Sequence, residues 1–421
     1  MATKAQPGTP ETAPSGSRSI FNRDFLLAGG VAFSFFMVNF SYFSTLPLYI
    51  KARGGMEADV SLVVGAGGLM SLLSRPFVGW LVDGLGRRRM LMAGTLLALL
   101  SSVSYAVAVS LPLIVFSRML GGAALSFVQT AATTLINDAV PPGRRGEANG
   151  YFGMAVNVAT GLGPPWGAFI VAAAFLVPGE QALSAFVPSV SEAGNYTLLF
   201  LNGVAMAALG TVLAYLVHDR FQAKGIHGLP NLARMFRREA IVPALLYFSG
   251  SVPFAAVLSL VPIYARDHGL GNPGLFFTVY SGMIFLMRIV SGRATDRFGR
   301  AVVFVPGLAM VGAAMLLMSV FAAPWLLLLC AALYGAGQGL AQPALTAYTA
   351  DVAPAEARGA AMSTYSLGFD LALSVGAWGL GAVVAGAGVQ AAFLAAGASP
   401  FAGIAFYALW SRRRRPVLAA A

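Results

Sequence analysis

Apolar runs of roughly eighteen residues or more recur along the whole chain, and this recurrence restricts the fold more than any other feature. A soluble domain would alternate its faces and carry roughly 25% charge. Here only 10% of residues are charged, 57% are hydrophobic, and mean hydropathy is +0.75. Runs of this length cross a hydrocarbon core of ~30 Å as helices rising ~1.5 Å per residue. Barrel strands would need only about ten residues with strict alternation. The sequence therefore predicts an all-α integral membrane protein. Its twelve transmembrane helices are expected at 25–50, 58–82, 90–110, 113–136, 147–175, 197–217, 240–264, 273–292, 301–322, 325–349, 358–386 and 389–411.

A net charge of +11 suits nucleic acid in principle, but its placement points elsewhere. Arg87 to Arg89, Arg144, Arg145, Arg297, Arg300, Arg358 and Arg412 to Arg415 crowd the loops of one side. The other side carries chiefly Lys51, Arg53 and Arg266. This asymmetry is the positive-inside signature, and it predicts both termini and the central loop in the cytoplasm. The expected layout is a disordered tail (1–19), a first half (20–217), a cytoplasmic linker (218–239), a second half (240–411) and a basic tail (412–421). The first apolar run is too long for a signal peptide. Cys330, the sole cysteine, excludes an internal disulfide and reads as a core residue.

The chain is written twice. RPFVGWLVDGLGRRR (75–89) returns as RIVSGRATDRFGR (288–300), matching Arg75 with Arg288, Gly79 with Gly292, Asp83 with Asp296, Gly86 with Gly299 and Arg87 with Arg300, all 213 residues apart. DAVPPGRRGEA (138–148) returns as DVAPAEARGAA (351–361) at the same spacing, and LPLYI near Pro47 echoes VPIYA near Pro262. One spacing shared by separate motifs predicts two parallel six-helix repeats, an arrangement that places a substrate site near mid-membrane between the halves.

The 79–89 segment resembles the loop 2–3 signature of the major facilitator superfamily, G-x-x-x-D-x-x-G-R-R/K. Arg118 with Gly121 and Gly122 is similar to that superfamily's helix 4 motif. Gly150, Gly163, Pro164 and Gly167 resemble its antiporter-type helix 5 motif, although Ala159 stands where a second glycine belongs. The resemblance implies alternating access and raises proton-coupled export over uptake. It also implies that the doubled turn holds the halves together in the outward-open state, a latch carried to Asp83, Arg87, Arg88 and Gly79, with Asp296 and Arg300.

The residues alone give that turn a physical reading. Asp83 lies at a helix C-terminus, where the helix dipole is already negative, so it needs cationic partners such as Arg87. Gly79 permits close helix approach and Gly86 a tight turn. Asp138, Arg145 and Glu147, with Asp351 and Arg358, are expected to form matching charge networks or plain surface pairs. Pro164 and Pro165 remove backbone donors and invite a kink, expected where helix 5 meets helix 8.

Setting aside helix ends, the charges within apolar runs are Arg118 and Asp370. Ionisable groups at membrane depth are costly and usually face a cavity or a partner. Asp370 lies near the midplane and is the expected proton carrier, the alternative being a carboxyl held by neighbours such as Ser374. Its repeat counterpart, Asn157, does not titrate. Polar stripes follow: Gly122, Ser126, Gln129 and Thr133 in helix 4, Gln338, Gln342, Thr346 and Thr349 in helix 10, and Asn39, Tyr42 and Thr45 in helix 1. Hydroxyls in such stripes often glue helices together, whereas Gln129, Gln342 and Asn39 are expected to line a cavity.

No phosphate-binding G-x-x-x-x-G-K-S/T loop occurs, and His218, His227 and His268 are scattered. Neither enzymatic chemistry, nor a metal, nor a cofactor is expected. The leading reading is a monomeric secondary transporter that exports small amphipathic molecules against protons across the plasma membrane, with lipid and no nucleic acid around it. Proton-coupled import of a sugar or organic acid is the alternative within transport. A non-transporting membrane sensor is the alternative from another class.

Overall fold

The computed structural model describes residues 20–108, 110–141, 144–173, 196–218, 225, 237–271, 273–354 and 358–418, with the side chains of 145, 146, 172, 173, 296, 358, 359 and 413–418 set aside. The expected tails at 1–19 and 419–421 and most of the expected linker lie outside these residues.

Every described element is helical, save short turns. The first half is α1 (Arg23–Ala52), α2 (Glu57–Leu85), α3 (Arg87–Ala106), α4 (Leu111–Ala139), α5 (Arg145–Ala173) and α6 (Tyr196–Leu216). In the second half α7 comes in two pieces, Ile241–Ser259 and Val261–Asp267, followed by α8 (Pro273–Phe298), α9 (Arg300–Val320) and α10 (Pro324–Val352). Then α11 opens at Arg358–Leu371, passes through a π turn at Ala372–Gly376, and continues to a break at Gly388 (φ 84°), after which α12 occupies 389–418. Among the described residues, ten stretches are apolar and long enough to cross a membrane by composition, the 360–412 stretch counting once although Gly388 divides it. The chain is a multi-pass membrane protein of two six-helix halves.

Two boundaries differ from expectation for identifiable reasons. Helix 7 breaks at Leu260 because Pro262, one residue into the next segment, has no N–H to continue the ladder. The equivalent Pro47 in α1 is passed without a break. The α2–α3 and α8–α9 corners are each a single glycine, Gly86 (φ 99°) and Gly299 (φ 89°), a left-handed geometry that side chains resist. We call the membrane face bearing these corners the turn side, and the opposite face the far side.

The 213-residue echo is a packing echo. In the first half a Cβ on Gly94 of α3 would lie 2.9 Å from the Val128 amide nitrogen of α4. In the second half a Cβ on Gly307 of α9 would lie 2.9 Å from the Ala341 amide nitrogen of α10. Helices that lack a hydrophobic drive to associate within lipid pack where small residues let their backbones approach. Serine hydroxyls add to the glue: Ser126 Oγ of α4 donates to the Ser71 carbonyl of α2 at 2.8 Å, and Ser41 Oγ of α1 donates to the Gly163 carbonyl of α5 at 2.8 Å.

Each glycine is thus testable by its surroundings. Gly307→Val is expected to lower stability by about 1–3 kcal/mol, because its new methyls meet backbone that cannot yield. Gly79→Ala, with nothing within 4 Å of its would-be Cβ, is expected to leave the thermal unfolding midpoint in detergent unchanged or slightly raised.

Candidate functional site

Between the halves lies a cavity with about 1260 Å³ of empty space, counting its open mouth. Gln129 of α4, Asn157 of α5, Arg288 of α8 and Gln342 of α10 line it, together with Asn39 of α1 and Arg75 of α2. Much of the remaining wall is aromatic: Phe36, Phe40, Phe43, Phe152, Tyr247, Phe254, Tyr280 and Phe369. Its polar residues run from mid-helix toward the turn side, as the places of Arg75 in α2 and Arg288 in α8 show.

Two arginines mark the cavity that the sequence reading had set aside with the helix ends. Both sit well inside their helices, because α2 runs to Leu85 and α8 to Phe298, past the expected ends at 82 and 292. Arg75 forks onto Asp370 through Nε and Nη2, the latter 3.2 Å from Oδ1, and Nη2 also reaches Gln129 Oε1 at 3.3 Å. Arg288 repeats the amide half of this arrangement, its Nη2 donating to Gln342 Oε1 at 2.6 Å. The signal was available: both arginines fall within the expected spans and match at 213 residues.

Asp370 is 0% exposed and sits two residues before the π turn. Ser71 Oγ adds a third donor at 3.3 Å to its Oδ1. Ser374 does not hold the carboxylate, since its hydroxyl donates to the Asp370 backbone carbonyl at 2.8 Å. The pair therefore spans the halves, α2 to α11. Close approach makes it possible. A Cβ on Gly68 would lie 2.7 Å from the Leu373 carbonyl carbon, so α2 presses directly on the π turn. The run GAGG (65–68) that allows this escaped the sequence reading.

Arg118 is buried behind the closed end of the cavity and does not line it. Its Nη1 donates to Asn39 Oδ1 at 3.1 Å, and its guanidinium carbon stands 4.0 Å from the Phe43 ring centroid, a cation–π contact. Tyr42 turns away into the first half, where its hydroxyl donates to Ser102 Oγ at 3.1 Å among Tyr105 and Phe200. The expectation that Tyr42 faces the passage is corrected: its α1 face packs against α3 and α6. Beyond Arg118 the far side is sealed. Trp378 Nε1 donates to the Leu62 carbonyl at 3.2 Å, and Ile263 of α7 joins an apolar cluster with Leu46, Ile50 and Val63.

On the turn side, the doubled motif ties each half to itself. Arg87 Nε meets Asp138 Oδ2 at 2.9 Å, and its counterpart Arg300 Nε meets Asp351 Oδ2 at 2.8 Å. Arg88 Nη2 donates to the Tyr215 carbonyl at 2.6 Å. Asp83 is the outlier, with its side chain 71% exposed and a single 3.5 Å contact to Arg87 Nη2. Among the described residues none of these bonds crosses between the halves, and Gly79 approaches no neighbour. The expected close approach at Gly79 is thus not made in this conformation. Glu147 pairs with Arg144 at 3.0 Å. The side chains of Asp296, Arg145 and Arg358 lie outside the described residues.

The helix 5 motif also turns out to face elsewhere. Cβ atoms on Gly163 and Gly167 would meet Met37, Phe40 and Ser41 of α1, while α8 is met by Gly161, opposite Ser281. Gly150 faces open space. The helix runs on through Pro164 and Pro165.

Removing one partner of a buried pair strands the other. Arg75→Gln is expected to destabilise the protein by about 3–5 kcal/mol, and Arg75→Gln with Asp370→Asn together to recover more than half of that loss. Chemical unfolding in a fixed detergent would measure both. Equal loss in the single and double variants would mean the pair is not what holds these helices together.

Comparison with known proteins agrees with this geometry. A family model described as Major Facilitator Superfamily matches residues 26–276 and 244–421. The MFS-type transporter YhhS of Escherichia coli strain K12 is 25% identical over 399 residues, covering 91% of this chain and 92% of that protein. The quinolone resistance protein NorA of Staphylococcus aureus is 24% identical over 320 residues, covering 73% and 76%. Among solved structures, an inward-facing, unoccupied bacterial homologue of the human lysosomal transporter Spinster superposes with a TM-score of 0.74 at 16% identity, over 94% of this chain and 98% of that one. Twelve described helices in two like halves around a polar cavity, with a family model matching nearly their whole length, make this chain a transporter of the major facilitator superfamily.

Proposed function

We propose that the chain is a proton-coupled exporter of small amphipathic molecules, working by alternating access in a plasma membrane with both termini in the cytoplasm. The observation that carries the proposal is the Arg75–Asp370 pair, one charge from each half, with Asp370 fully buried and Arg75 facing the cavity. With the far side sealed, this pair holds α2 to α11. A proton on Asp370 removes the attraction while Gln129 keeps hold of Arg75, so the two poses of the halves change in relative energy. Gln129, Gln342, Asn39 and Asn157 give substrate its polar contacts, and Arg118 backs Asn39 from behind. In the opposite pose Asp83, freely exposed here, swings onto the other half. Arg87 and Arg88 then act as the latch, as do Asp296 and Arg300 at the second corner. The aromatic wall and the NorA relative, a quinolone resistance protein, favour export of amphipathic molecules.

In proteoliposomes with an imposed proton gradient, Asp370→Asn is expected to abolish gradient-driven substrate movement and keep substrate exchange. Undiminished gradient-driven movement would overturn the assignment of Asp370. Substrate and protons moving in the same direction would replace export by uptake.

The pose itself has a separate check. With Cys330→Ser as background, Ser61→Cys and Gly381→Cys face each other across the far-side seal: a Cβ added at Gly381 would lie 2.7 Å from the Ser61 Cβ, and a shift apart of about 1 Å brings the pair into disulfide range. Oxidation is expected to cross-link the halves and arrest transport, with reduction restoring it.

A further inference from the structure

The cavity carries an arginine with no carboxylate of its own. Among the described residues no carboxylate lines it: Asp370 is buried beside the wall and is committed to Arg75. Arg288 makes one hydrogen bond, to Gln342, and its buried Nε has no partner. The repeat explains the gap. At the 213-residue spacing Asn157 stands to Arg288 as Asp370 stands to Arg75, and Asn157 lines the same cavity without bearing charge. The second half thus holds half an ion pair. A guanidinium at membrane depth without a counter-charge is costly, and this one sits open to a cavity that admits one.

The surroundings specify the rest of the missing partner. Tyr247, which accepts from Gln342 Nε2 at 3.0 Å, stacks on Tyr365 with ring centroids 4.3 Å apart and adjoins Phe369 at 5.7 Å. Phe254 and Tyr280 continue this face, their centroids 6.3 Å apart. An apolar, planar body fits beside these rings, and a carboxylate fits the guanidinium fork. We propose that the substrate is an amphipathic organic monoanion, an aromatic carboxylate in the simplest case, whose charged group takes at Arg288 the place that Asp370 takes at Arg75. This deepens the exporter reading and rests on it only for the word substrate: the site binds the anion whether or not protons drive its movement.

The test uses the purified full-length protein in detergent and three matched probes: 2-naphthoate, its neutral amide and the corresponding naphthylmethylammonium, titrated by calorimetry. The anion is expected to bind about tenfold or more tightly than either other probe. Arg288→Gln weakens the anion more than the amide and so removes that preference, while an unchanged thermal unfolding midpoint shows that the variant is folded. Asn157→Asp, nearly the same size, supplies an internal counter-charge and is expected to weaken the anion about tenfold while leaving or improving the cation. Equal binding of all three probes by the unaltered protein would overturn the proposal, as would an anion preference that survives Arg288→Gln. Failure of the exporter reading looks different: anion preference intact in the binding assay, but no gradient-driven flux in proteoliposomes.

Discussion

A carboxylate in the middle of a membrane protein has few tolerable arrangements, and the one found at Asp370 organises much else in the molecule. It needs a cation within hydrogen-bond reach, which is Arg75, and the cation must come from a helix able to touch α11. That requirement falls on α2, whose GAGG run brings backbone against backbone at the π turn and leaves room for Arg118 on its other flank. The π turn lies where the ladder of α11 loosens by one residue beside the buried charge, a place where such irregularities often accompany function. Close packing and charge burial are therefore one constraint at this contact: a bulkier α2 would separate the pair and expose two groups that neither lipid nor the aromatic wall can solvate.

The two halves show how far a duplicated sequence can diverge without losing its frame. Contacts that hold each half together recur at the same spacing: Arg87–Asp138 with Arg300–Asp351, Gly94–Val128 with Gly307–Ala341, and the arginine-to-glutamine bonds of α2–α4 and α8–α10. What does not recur is the partner across the halves. Packing within a half tolerates little change, because close glycine contacts admit no added atom. The contact between the halves is free of that restriction, so Asp370, buried against Arg75, and Asn157, on the cavity wall, differ by charge at almost equal volume. The asymmetry sits where the proposed cycle needs two unlike charged positions, one for a proton and one for a ligand.

Much of this frame was legible in the sequence. Apolar length gave the helices, basic asymmetry gave a consistent set of loops, and a single spacing gave the repeat, all of which rest on composition and periodicity. Gln129, Gln342, Asn39 and Asn157 line the cavity because amides are poorly tolerated against lipid, a rule that needs no coordinates. Tyr42 was misplaced because its hydroxyl finds Ser102 inside the first half, and a tyrosine in a polar stripe looks the same whichever helix it turns toward. Arg75 and Arg288 were passed over because helices were drawn several residues short, which put internal charges near apparent ends. The neighbour of the helix 5 glycines was not legible, since spacing along one helix does not say which helix fills the groove; α1 does, through Ser41 and Phe40.

The turn-side charges make sense only when set against the sealed far side. With Trp378, Ile263 and the π turn closing one end, the halves are joined, among the described residues, by apolar and backbone contacts there and by one charge pair at mid-depth. The arginine corners meanwhile bond within their own halves, and Asp83 remains in the open. A carboxylate that exposed, beside a helix end that disfavours it, contributes little to this pose. In the cycle proposed above, its role belongs to a pose where a cation of the other half comes within reach. Under the proposed cycle the molecule therefore exchanges one cross-half attachment for another: the buried pair and the far-side seal in one pose, the corner charges in the other. The balance between two such poses is shifted by any event that touches only one of them, and a proton on Asp370 is such an event.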